Sequence, residues 1–168
     1  MQRSSWMLMG VVAALSAFLL FGYIASHNAP GPMTETQANG MLDTLKEAVA
    51  HKNANAILAL VSPDPETRIK DMSPDKLRTL LFQAFRNADN LDAQTANVKF
   101  QGGEESASLE YDLTIHHTMQ SAVSEYKYHI MMQMRPIDAS HFLGLYHTKE
   151  WRITGAQADG PDLGGFME

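Results

Sequence analysis

Near Asn90 the apolar residues change their spacing, from every third or fourth position to strict alternation. A chain that keeps the two patterns apart predicts helices first and strands afterwards. Its helices must then cover the apolar side of a sheet, which is an α+β order. The first helix follows Thr34, which with Gln37 has the spacing of a capping box, and Met41, Leu42, Leu45 and Val49 recur on one face. A second, Ala54 to Val61, stops at Ser62-Pro63-Asp64-Pro65. The third opens on Ser73 as N-cap with Pro74 in the first position, carries Leu77, Leu80, Leu81 and Phe85, and ends near Asn87.

Four strands are predicted beyond. In the first, Ala96, Val98 and Phe100 alternate with Asn97 and Lys99. The second turns Leu109, Tyr111, Leu113, Ile115 and His117 one way, and Glu110, Asp112, Thr114 and His116 the other. The third turns Tyr126, Tyr128, Ile130, Met132 and Met134 inward, opposite Glu125, Lys127, His129 and Arg135. Pairing Gln120 with Glu125 would set Glu110 across from Arg135 and His116 across from His129. A last strand or strand pair covers Phe142 to Ala156, with Trp151 and Ile153 inward, and residues 158–168 read as a tail. The expected domain, residues 34–157, is three helices on a curved, mainly antiparallel four-stranded sheet.

Residues 1–25 have another character. Trp6 to Ala25 carry no charge and are mostly apolar, long enough as a helix to cross a ~30 Å hydrocarbon core. They predict a single transmembrane helix. The competing reading is a cleaved signal peptide, whose apolar region usually runs about 7–15 residues, and the large Tyr23 and Ile24 make a poor cleavage site. Arg3 precedes the segment and no Lys or Arg follows until Lys46. The positive-inside bias then puts the N-terminus in the cytoplasm and the domain outside the inner membrane, in the periplasm. Gly10 with Ala14, and Ala13 with Ala17, are pairs of small residues that let another transmembrane subunit, or a second copy in a homodimer, approach closely. Residues 26–33, SHNAPGPM, form a short linker.

The segments KNANAILALVSPD, MSPDKLRTLLFQAF and EWRITGAQ, in this order of elements, resemble the nuclear transport factor 2-like (cystatin-like cone) superfamily over roughly residues 34–157. The resemblance implies a cystatin-like cone. Members of the superfamily include polyketide-cyclase and dehydratase enzymes, ligand carriers and dimeric assembly domains, so the fold alone leaves function open. Enzymes of the superfamily place Asp and His side chains inside the cone. Here the inward positions offer Tyr111, His117, Tyr128 and Trp151 as pocket candidates, with no carboxylate on that face of the two central strands, which argues against acid–base catalysis. In dimeric relatives the outer sheet face is the interface.

The formal charge of −6 argues against nucleic acid as a partner. No phosphate-binding loop, zinc-spaced ligand set or nucleophile elbow is present, and no cofactor is expected. HHTM and HIMMQM bring together imidazoles and thioethers of the kind that suit cuprous ion, and the expected register would cluster His116, His129 and Met131 on the outer face. The first expectation is a non-enzymatic, membrane-anchored, extracytoplasmic accessory or assembly subunit acting through protein–protein contacts. The second is a small-molecule binder or SnoaL-like enzyme using the cone interior. Copper handling is the third.

Overall fold

A computed structural model describes residues 30–119, 122–141 and 146–160. The expected membrane helix, with Gly10, Ala13, Ala14 and Ala17, lies outside the described residues, as does most of the expected tail. Among the described residues no helix is long and apolar enough to cross a membrane.

The first and third helices begin where their caps predict. Helix α1 spans Glu35–Ala50. At its start the Gln37 N–H donates to Thr34 Oγ1 over 3.3 Å, and the Thr34 N–H donates to Gln37 Oε1 over 2.9 Å. Helix α2, Ala54–Leu60, is capped by Asn53, and helix α3, Pro74–Asn87, by Ser73 with Pro74 in its first turn. Lys52, in the left-handed region at φ 52°, serves the other end of α3. Its ammonium donates to the carbonyls of Ala88 and Asp89, a cation where the helix dipole is negative.

The sheet has five described strands, one more than expected. They are β1 (Arg68–Ile69), β2 (Asn90–Gln101), β3 (Ala107–Met119), β4 (Ala122–His141) and β5 (Tyr146–Asp159), ordered β1-β5-β4-β3-β2. The addition, β1, runs parallel to β5, so the curved sheet is mixed. Two residues are too few to display a period. Their place is set from a distance, by the Ser62 N–H donating to the Ile153 carbonyl over 2.8 Å and the Lys70 N–H donating to that of Ala156 over 2.6 Å. Strand β4 continues through Pro136 to His141, and β5 extends to Asp159, past the expected domain boundary at 157. Residues 32–135 and 151–160 belong to one unit, and residues 136–150 to another.

In the first unit the inward face is as predicted on β3 and β4, where Leu109, Tyr111, Tyr128, Ile130, Met132 and Met134 are buried with Leu42 and Leu77 of the helical layer and with Val61, which follows α2 and bridges to Ile153. Two details differ. Strand β2 bulges between Ala96 and Lys99, with Asn97 at φ 53°, so the alternation breaks: Ala93 is buried, whereas Val98 is 40% exposed. The β3–β4 register is also shifted along the strand. Met119 pairs with Ala122, His116 with Glu125 and Asp112 with His129. The shift is an even number of residues, so every side chain keeps its face while changing its partner.

Candidate functional site

The helices do not fill the concavity of the sheet completely. A cavity of about 250 Å³ remains, walled by Leu77, Leu80 and Leu81 of α3, by Tyr111, Leu113 and Ile115 of β3, and by Tyr128 and Ile130 of β4. The alternation of β3 and β4 sends both tyrosines inward, and the register makes them diagonal neighbours, Tyr111 opposite Ile130 and Tyr128 opposite Leu113. Burial pushes the Tyr111 hydroxyl up to about 12, so it stays neutral and can donate a hydrogen bond. Two further polar side chains line the cavity, Lys70 beyond β1 and Gln157 on β5. No Asp, Glu or His is among the described lining residues.

Of the four pocket candidates, the cavity thus brings together Tyr111 and Tyr128 and leaves out His117 and Trp151. His117 is buried, 5% exposed, but it pairs with Leu91 and Ser124 beyond Ile115, the last β3 residue on the cavity wall. Trp151 packs partly buried against the core without reaching the wall. Lys70 and Gln157 escaped sequence reasoning. Lys70 follows a strand too short to recognise, and Gln157 stood at the very edge of the expected domain.

The outer face of the sheet carries the polar chemistry. Lys99 Nζ lies 2.8 Å from Glu110 Oε1, His129 Nε2 lies 3.5 Å from the same oxygen, and His129 Nδ1 lies 2.8 Å from Asp112 Oδ1. Asn97 Nδ2, on the bulge, donates to Asp112 Oδ2 over 2.6 Å. A separate group joins His116 Nδ1 to Glu125 at 3.6 Å and Lys127 Nζ to Glu125 at 2.8 Å. The expected cluster of His116, His129 and Met131 is not formed. The register sets the two imidazoles about four residues apart along the hairpin, roughly 13 Å of strand. No group of three or more His, Asp or Glu among the described residues is arranged to hold a metal.

These contacts depress three carboxyls below their ordinary range: Glu110 through the hydrogen bond from Lys99, Asp112 through those from His129 and Asn97, and Glu125 through that from Lys127. Depressed folded-state values mean that the unfolded chain binds more protons, so their contribution is present above the unfolded values and lost as pH falls through the folded ones. The melting temperature should therefore drop between about pH 5 and pH 2. A Glu110→Gln/Asp112→Asn/Glu125→Gln variant should show a shallower fall over the same range; since all three groups are exposed, the difference is modest.

No protein-family model matches the chain, and no curated protein sequence does. Solved structures do match in three dimensions. A nuclear transport factor 2-like superfamily protein from Salmonella enterica superposes with a TM-score of 0.60 at 11% identity, covering 76% of this chain and 90% of that one. A protein with a cystatin-like fold from Nostoc punctiforme gives 0.55 at 14%, covering 77% and 94%. The chain has the nuclear transport factor 2-like, cystatin-like cone fold. A proposed scytalone dehydratase from Novosphingobium aromaticivorans gives 0.57 at 8% identity, covering 74% and 82%. Identities this low speak of the fold alone.

Proposed function

We propose that the cone binds a small, mainly apolar molecule and performs no acid–base chemistry on it. The observation that carries this reading is the cavity of about 250 Å³, walled by aliphatic and aromatic side chains between the helices and the sheet. It exceeds the ~150 Å³ that suffices for a benzene-sized guest and falls just below the range of drug-sized pockets. Tyr111 and Tyr128 supply aromatic surface to its wall. The imidazole–carboxylate contact that dehydration or proton abstraction would require, His129 with Asp112, lies on the opposite face of the sheet. Octan-1-ol is a suitable neutral probe. Titrated calorimetrically into the full-length chain held in an amphipathic polymer, with empty polymer particles as blank, it should bind one molecule per chain. Absence of binding would remove the proposal.

A second reading, an assembly subunit of a membrane complex, is favoured by the paired small residues Gly10/Ala14 and Ala13/Ala17 in the apolar N-terminal segment. On that reading the segment anchors the domain outside the inner membrane. Gentle detergent extraction should then yield a species larger than the 18.6 kDa chain, with other proteins in stoichiometric amounts. The two readings are compatible, since a tethered domain can still hold a ligand.

A further inference from the structure

A polar groove of about 500 Å³ runs along the β1–β5 edge of the sheet, on the far side of the cavity wall. Lys70, Ala156, Gln157 and Ala158 line both spaces. The wall common to the two is therefore made of two alanines, an amide and one cation. That cation is the single charged side chain among the described cavity-lining residues. Its position is set by the backbone. Lys70 and Asp71 sit in the left-handed region at φ 46° and 63°, reversing the chain so that Ile69 bridges to Met72. The Lys70 N–H, bonded to the Ala156 carbonyl, pins the turn to β5.

From this placement, and resting on the reading of the cavity as a binding site, we propose that the ligand is an amphiphile with an anionic head: its apolar body fills the cavity and its head pairs with the Lys70 ammonium at the shared wall. The ammonium has no ion-pair or hydrogen-bond partner among the described residues, whereas nearby Arg68 is engaged by the carbonyls of Pro65 and Thr67. Lys70 is partly exposed, with its stem on the apolar side and its ammonium open to the polar groove, and a carboxylate or sulfonate head that reaches the shared wall adds a charge-assisted hydrogen bond there. Glu66, Asp71 and Asp159 line the groove but not the cavity, so they oppose an anionic head from the solvent side and confine it to the Lys70 end of the wall, while Arg68 offsets part of their charge. At ~30 Å³ for a water-sized group, the cavity holds about eight such groups, the length of a medium chain.

Octanoate, octan-1-ol and octylamine share a chain and differ in the head. Titrated into the full-length chain in an amphipathic polymer, octanoate should bind at least tenfold more tightly than either of the others. Lys70→Met should erase that advantage in a sample whose thermal melt shows it folded, and Lys70→Arg should retain most of it. Equal affinity for octanoate and octan-1-ol in the wild type, or a preference that survives Lys70→Met, overturns the role of Lys70 and leaves the binding cavity standing. Failure of all three to bind overturns both.

Discussion

Leu109→Ala is expected to lower the unfolding free energy by about 3 kcal/mol, from the usual range of ~2–5 for a buried leucine. Leu109 is 1% exposed, on β3 between Phe100 of β2 and Met132 of β4. Truncation removes the transfer free energy of the lost methyl and methylene groups and leaves a void that neighbours fixed in strand pairing cannot collapse into. Two of those neighbours, Met132 and Met134, are flexible thioethers that can lean into part of the gap, which places the expectation in the middle of the range and not at its top. Urea unfolding of the full-length chain followed by circular dichroism measures the change. A loss under 1 kcal/mol would mean that this part of the sheet is not covered by the helical layer. Val98→Ala, on the exposed side of the β2 bulge, is the internal control and should stay within ~0.5 kcal/mol of wild type.

Leu113→Trp should abolish most octan-1-ol binding while leaving the fold intact. Leu113 lines the cavity from β3, directly opposite Tyr128, and is only partly buried, so a larger side chain has room to turn into the empty space. The indole takes the place of about three methylenes of ligand, each worth ~0.8 kcal/mol on burial, and the loss comes to about 2.4 kcal/mol or some fiftyfold in affinity. Because the added atoms fill a void, the melting temperature should hold or rise, which separates blocking from unfolding. Calorimetry with octan-1-ol and a thermal melt of the same sample decide the outcome. Undiminished binding in a variant that melts normally would place the ligand elsewhere.

Much of this architecture could be read locally. Thr34 with Gln37, and Ser73 with Pro74, satisfy backbone groups within one turn, so their helices start where side-chain chemistry a few residues long says they must. The alternation along Ala107–Met119 and Ala122–Met134 likewise placed Tyr111 and Tyr128 inward, since a strand has only two faces. The outward polar ladder of Glu110, Asp112 and His129 followed from the same rule.

What remained hidden was every feature that depends on a partner far along the chain. A slide by an even number of residues preserves both faces of a hairpin, so periodicity could not tell His116 opposite His129 from His116 opposite Glu125. The bulge at Asn97 reverses the parity of β2 through one left-handed residue. Strand β1 exists because Val61, Arg68 and Ile69 find places along β5 more than eighty residues away. The same distant pairing put Lys70 at the wall of an apolar cavity. Local patterns record which way a side chain points, because that is set by φ, ψ and its nearest neighbours. Which side chains meet, and what space is left between them, is settled only when separate elements compete to bury the same surface.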